Sequence, residues 1–468
     1  MGTALNLHDI QGNILNGYGS QFGHGVHLLL HADTAEAARR CLGQVGGQVT
    51  TAARWPPSYR PPTTLNVAVT YSGFKRLGLR QSLVDRFPEA FRQSTRKRAA
   101  SLGDAGPSAP RRWDKHLGTG HVHLVLTVFA QNRKDLSDQG KQLHGEIASI
   151  PGLTVAAEQE THDLPGRREH FGYADGFSQP EIEGVDRPSR HRPTSDSGVG
   201  VPLPDGGWRP VKLGEFLLGH VDEDGQVDTE PDKNLVRNGT YVVYRKLEQD
   251  VPRFRLILAE AARRTRLPRE LVAAKLMGRW RDGTPLATQP HRTDPRDLTA
   301  VANDQPDNDF RYLPGDRDGH TCPLGAHVRR ANPRDALDFG GALRDSGALT
   351  ARHRIIRRGM PYGEPYDPDI DDRGDRGLLF ICYNVDIVRQ FETIQTSWCN
   401  DGDTFGLGDD RDWFVGGIGG SGKMTIPMPD GHPKFVQVDP DLVVTRGTEY
   451  LFAPGIQALH ELAEGAFG

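Results

Sequence analysis

The chain has 468 residues, of which 36% are hydrophobic and 25% charged, with a net charge of −4. Such a composition can bury a core, which excludes a disordered chain, and the slight acidity argues against a nucleic-acid binder, which usually carries a basic excess. No apolar run approaches the roughly 20 residues that span a bilayer, so no membrane segment is expected.

Two domains of ordinary size fit this length. The 55 glycines and 33 prolines predict many turns and long connections. Residues 1–13 carry no visible signal peptide, having neither its basic head nor its apolar stretch, so a cytoplasmic location is expected. Four cysteines, Cys41, Cys322, Cys382 and Cys399, form no C-x-x-C pair and read as ordinary thiols of a reducing compartment.

In chain order, residues 24–31 (HGVHLLLH) read as a buried strand and 34–45 as a helix. Residues 65–71 (LNVAVTY) form a second strand that turns toward a helix over 72–79. A third strand is expected at 121–129 (HVHLVLTVF), a helix at 134–150 and a fourth strand at 153–158. That order is close to β-α-β-β-α-β, the ferredoxin-like unit. Residues 159–235 lack periodic runs and read as a long, functional loop region. Strand character restarts at 239–247 (GTYVVYRKL), followed by helices at 251–264 and 268–280. A strong buried strand lies at 377–385 (GLLFICYNV) and an amphipathic helix at 386–398. Segments 435–438, 442–445 and 449–452 could complete a sheet before a final helix at 456–463.

Three segments could carry chemistry. In 171–180 (FGYADGFSQP), Gly172 and Gly176 bracket Asp175 and permit tight turning and close backbone approach to a flat ligand; alone, the pattern is equally a capped turn. In 322–334 (CPLGAHVRRANPR), His327 is either a ligand or a surface histidine beside a basic run. In 354–363 (RIIRRGMPYG), the switch from arginines to Gly-Met-Pro fixes a turn at which a guanidinium can be aimed inward. Other clusters are weaker. His121 and His123 share one strand face but lack an obvious third metal ligand. The carboxylates of 367–375 do not match an EF-hand loop. The glycine run of 416–422 (GGIGGSG) lacks the end of a P-loop.

Together these segments resemble the dye-decolorising peroxidase family, in its longer bacterial and fungal-like branch. The matching pieces are 9–19 (DIQGNILNGYG), 65–79 (LNVAVTYSGFKRLGL), 172–176 (GYADG), 214–219 (GEFLLG), 238–250 (NGTYVVYRKLEQD) and 274–280 (AKLMGRW). They continue with 322–334, 354–363 and 377–395 (GLLFICYNVDIVRQFETIQ), in family order over nearly the whole chain.

The resemblance implies an α+β fold of two ferredoxin-like halves, of the dimeric α+β barrel type. Residues 1–235 would hold the N-terminal unit and the loop with the distal Asp, and 236–468 the C-terminal haem-binding unit. It implies haem b (iron protoporphyrin IX) with His327 as iron ligand, and Asp175 and Arg357 as the catalytic pair on the peroxide side. Leu378 and Phe380 would line the distal pocket, Gly172 and Gly176 would lie against the cofactor, and Asp412 is the candidate acidic partner of His327. His220 stands where a tyrosine is expected after GEFLLG. Cys322-Pro323 remains a rival ligand, since thiolate can also hold haem iron.

The implied activity is reduction of hydrogen peroxide through a ferryl haem, with oxidation of dyes or phenols. The alternatives are a haem carrier or sensor with incidental peroxidase activity, and a cofactor-free interaction module. No nucleic-acid or membrane partner is expected, and a homo-oligomer is admitted. Trp398, Trp413 and Tyr383 read first as core rings and second as an electron relay to bulky substrates.

Overall fold

In the first half of the chain, β1 (His24–Ala32), β2 (Thr63–Thr70), β3 (Leu124–Ala130) and β4 (Leu153–His162) are rich in aliphatic and β-branched residues. The computed structural model describes residues 5–468 apart from 19–20, 186–197, 204–205, 293–307, 314, 338–347, 371, 373, 417–421 and 440. The four strands pair antiparallel in the order β4-β1-β3-β2. Helices α1 (Ala35–Gly46) and α2 (Arg133–Ala148) make the two crossovers. Each starts at a side-chain cap: Thr34 accepts from the Ala37 N–H and Asn132 from the Asp135 N–H.

The second half repeats the pattern with different loops. Its strands are β5 (Thr240–Gln249), β6 (Ile356–Arg357), β7 (Met360–Tyr362), β8 (Gly377–Asn384) and β9 (Val443–Ala453). They run β9-β5-β8-β6, with β7 also on β8, the same order as the first half if β6 and β7 count as one interrupted strand. The halves join where Thr70 and Val69 of β2 face Leu451 and Phe452 of β9. At the far end β4 lies beside β7, so the nine strands curl into a barrel built by one chain.

A sheet buried on both faces needs continuous apolar runs, and β1, β5 and β9 supply them. Leu29, Val125, Val242, Ile381, Tyr383 and Leu451 fill the barrel. Leu28, Leu30, Leu126, Val243 and Phe452 point outward, under α1, α2 and the terminal helix. Around the outer face lie α3 (Val251–Thr265), α4 (Arg269–Met277), the short α5 (His327–Ala331) and the terminal α6 (Ile456–Glu464).

Several expectations are corrected. Residues 435–438 do not extend the main sheet; they pair with Gly422–Ile426 in a separate hairpin. Segments 442–445 and 449–452 are one strand, β9, with a bulge between Thr445 and Gly447. Gly447 lets Leu117 press on the strand, because a Cβ there would lie 2.2 Å from Leu117 Cδ1. The helix expected at 386–398 is present but π-wound over 388–399. The strand expected from His121 begins at Leu124.

Arg245 of β5 is fixed by Asp104 from the first half, with Nη1–Oδ2 at 2.8 Å and side-chain exposures of 6% and 2%. Thr445 and Thr448 complete the guanidinium's partners. Removing one member of such a pair leaves the other buried and uncompensated. Asp104→Ala is therefore expected to destabilise the fold by about 3–5 kcal/mol, measured as the shift in denaturant midpoint.

Candidate active site

The segment 171–180 crosses the outer face of the second half as a tight turn. Gly172 and Gly176 have φ of +93° and +94°, backbone that side-chain-bearing residues rarely adopt. The Gly172 carbonyl is held by Arg168 at 2.6 Å. The Gly176 N–H donates to Asp175 Oδ1 at 2.6 Å. Arg357 then meets the same carboxylate with both terminal nitrogens, Nη1–Oδ2 at 3.2 Å and Nη2–Oδ1 at 3.1 Å. Burial pushes the Asp175 carboxyl up, but Arg357, the Gly176 N–H and the charge of His327 outweigh it, so it titrates below its ordinary value.

Strand alternation sorts the arginines of 354–358. Arg357 lies opposite Cys382 in the β6–β8 pairing, so its side chain leaves the sheet on the face of Leu378 and Phe380, both half-buried. Arg358 points the other way, into the barrel, where it donates to the Asn13 and Ile14 carbonyls at 2.8 and 2.9 Å. Arg354 donates to the Val199 carbonyl at 3.1 Å.

His327 opens α5, and its Nδ1 donates to Asp412 Oδ2 at 2.8 Å. Asp412 is sealed at 0% exposure, and its Oδ1 accepts from the Phe414 and Val415 N–H groups, each at 2.9 Å. Burial pushes the His327 imidazole down, yet the Asp412 carboxylate holds it above its ordinary value. Burial likewise pushes Asp412 up, and His327 more than reverses this.

The π-winding leaves the C-terminal carbonyls of 388–399 to outside donors. Arg330 donates to the Trp398 and Asp401 carbonyls at 2.6 and 2.7 Å, and the Asp412 N–H to the Cys399 carbonyl at 2.8 Å. That helix end thus anchors both α5 and the carboxylate.

His327, Asp175 and Arg357 act on one another electrostatically. Their side chains keep 28%, 47% and 33% of their surface exposed, although His327 and Asp175 are enclosed by protein at longer range. Their charges therefore lie within reach of one another. With Nδ1 engaged, Nε2 of His327 is the nitrogen available to a metal, and among the described residues it has no hydrogen-bond partner. An imidazole backed by a carboxylate on one nitrogen, with the other nitrogen unpartnered, is a donor that fits the iron of a porphyrin.

Residues 9–158 match the family model for the DyP dimeric alpha+beta barrel domain, and 220–421 that for the Dyp-type peroxidase C-terminal region. The multifunctional dye peroxidase DyP2 of Amycolatopsis is 33% identical, over 85% of this chain and 82% of that protein. The chain belongs to the dye-decolorising peroxidase family. A dye-decolorizing peroxidase of Mycena epipterygia is 28% identical over 98% of this chain and 87% of its own length. The structure of an ancestral D-type dye decolorizing peroxidase superposes with a TM-score of 0.82, at 28% identity, covering 98% of this chain and all of that one. As a member, the chain is a haem-dependent peroxidase that uses hydrogen peroxide and a reducing substrate.

In this dye-decolorising peroxidase the structure draws together Asp175, Arg357, His327 and Asp412, from four distant stretches of sequence. Trp398, Trp413 and Tyr383 are all buried, at 4%, 0% and 4% exposure, as core rings would be. Trp413 packs on Phe414, and Phe414 on His327, at centroid distances of 5.1 and 5.7 Å. His220 bonds Asn238 through Nε2 at 2.7 Å.

His121 and His123 stack on His31 at 3.9 and 4.6 Å, and His116 stacks on His121 at 4.7 Å. Among the described residues no cluster of three or more His, Cys, Asp or Glu side chains is placed to hold a metal ion, nor is any helix long and apolar enough to cross a membrane. In the glycine run, residues 417–421 lie outside the described residues, as do Asp371 and Arg373 of the acidic loop. Sequence reasoning missed Arg330 and Gln179; the paired arginines after His327 were the one signal for the first.

Proposed function

We propose that His327 is the haem iron ligand, Asp412 the carboxylate that orients it, and Asp175 with Arg357 the peroxide-handling pair. Haem, when bound, supplies the chemistry that splits the O–O bond. The observation that carries the assignment is that the carboxylate–guanidinium pair and the carboxylate-backed imidazole lie close enough for their charges to interact.

Ionised Asp175 accepts the proton that peroxide gives up and returns it to the departing oxygen, which then leaves as water. Arg357 keeps Asp175 ionised and offers its N–H groups to the negative charge that develops on that oxygen. Asp412 accepts the Nδ1 proton of His327, so Nε2 keeps its lone pair for iron. Leu378 and Phe380, on the face of Arg357, keep that side apolar, and Gly172 and Gly176 let the Asp175 turn approach closely.

Dyes and phenols are the proposed reductants, since relatives are named for dye oxidation. A carrier or sensor role is not favoured, because it would need no Asp175–Arg357 pair. The units 1–235 and 236–468 are proposed as the two halves, each with its own β4-β1-β3-β2 type order. A cytoplasmic location is proposed from four free, buried thiols.

The test is the visible spectrum of the haem-loaded protein before and after one equivalent of hydrogen peroxide, followed by addition of a phenol or an anthraquinone dye. A spectrum that neither changes with peroxide nor recovers with the reductant overturns the assignment.

The pH dependence follows from Asp175. Its carboxyl titrates below the ordinary value of about 3.9, so the acid limb of the rate with peroxide is expected below that ordinary value. Arg357→Leu removes the main influence holding that carboxyl down while burial still pushes it up. The acid limb then moves to higher pH, and the rate above it drops by about 10²–10³-fold. Stopped-flow mixing from pH 3 to 8 checks both effects.

A further inference from the structure

The segment with Asp175 is tied to the strands with Arg357 at three places. His170 Nε2 donates to the Tyr362 carbonyl at 2.8 Å, Asp175 meets the Arg357 guanidinium, and Gln179 Oε1 accepts the Arg357 main-chain N–H at 2.9 Å. In the β6–β8 pairing β6 is the outer strand, so this N–H faces away from β8 and has no ladder partner. The Arg357 carbonyl is held from the next residue, by Arg358 Nη1 at 3.0 Å. Gln179 is therefore the tie that joins the backbone of the guanidinium to the segment of the carboxylate.

The distances between the charged groups show why this matters. Charge-assisted guanidinium–carboxylate bonds usually close to about 2.7–2.9 Å, whereas Asp175 and Arg357 stand at 3.1–3.2 Å. The backbone tie at Gln179 and the side-chain contact together fix where the guanidinium lies against the carboxylate. Gln179 lies four residues from Asp175, on the turn that Gly176 opens.

We infer that Gln179 is a positioning residue, which fixes the spacing of Asp175 and Arg357 by holding the Arg357 N–H. The inference rests on the proposed roles of those two residues. It differs from a general structural role because its loss acts on the peroxide step and leaves the reductant step alone.

Three variants test it in the haem-loaded enzyme. Gln179→Met keeps the length but has no acceptor oxygen, Gln179→Asn is polar but one methylene too short, and Gln179→Glu keeps the acceptor. Hydrogen exchange at the Arg357 amide, read by mass spectrometry on haem-loaded and haem-free protein, is expected to quicken by about five- to tenfold in Met and Asn, the worth of one hydrogen bond. In both, the second-order constant for peroxide falls by about 10- to 100-fold, the scale of a sub-ångström to 1 Å misplacement. The constant for the reducing substrate is unchanged, and Glu restores amide protection and brings the peroxide constant within about threefold of the parent.

Unchanged amide exchange, unchanged peroxide constants in both Met and Asn, equal losses in both substrate constants, or failure of Glu to recover would each overturn the inference. Asp175→Asn serves as the separating control. If it too reacts normally, the roles assigned to the pair fail; if it is slow while the Gln179 variants are normal, only the inference about Gln179 fails.

Discussion

Asp175→Asn is expected to slow the reaction with hydrogen peroxide by about 10²–10⁴-fold, the usual worth of a positioned acid–base group. The amide matches the carboxylate in shape and still accepts from the Gly176 N–H, but it cannot take a proton and cannot balance Arg357. The slow rate should therefore lose its acid limb, because the group whose protonation is expected to produce that limb is gone. Haem content and the resting spectrum should stay as in the parent, since His327 and Asp412 are on other elements. Stopped-flow absorbance after peroxide mixing measures the rate. An unchanged rate would remove Asp175 from the chemistry.

His327→Ala is expected to leave less than about a tenth of the haem bound after purification, because the imidazole is the proposed ligand of the iron. The sealed Asp412 is then left without its imidazole partner, which adds to the loss. Cys322→Ala is the companion measurement, because Cys322 is the rival ligand in the same segment. Burial pushes the Cys322 thiol up to about 11, and the residue is 1% exposed within an apolar cluster. A thiol so placed is not the thiolate that iron would need. Cys322→Ala should retain the parent's absorption and electron paramagnetic resonance spectra. Loss of the haem signal in the Cys322 variant alone would reverse the assignment.

The parts of the site differ in how legible they were. Gly172 and Gly176 signalled a sharp turn, and both adopt positive φ. His327 was ambiguous by itself, because an imidazole before two arginines reads equally as a solvated face; burial of those arginines at 1% and 0% exposure removes that reading. Asp412 was a guess from its place after a helix, and only the return of the chain from Cys399 brings it to His327. Gln179 gave no signal, since an amide side chain announces nothing until its partner is known. The π-winding of 388–399 was equally silent, because no residue type marks it in the sequence.

By itself the sequence determined the alternating strands and helices of the first half, the buried strand at 377–385 and the residue types that haem and peroxide need. Those depend on local periodicity and on side-chain chemistry, which are carried within short stretches. The tertiary structure alone decided that 435–438 leaves the main sheet, that 442–453 is one bulged strand, and that β2 and β9 join the halves into a barrel. It also decided which of the arginines at 354, 357 and 358 faces Asp175. Strand pairing and the face a side chain takes are settled by partners more than a hundred residues away, and a one-residue change of register would exchange Arg357 for Arg358.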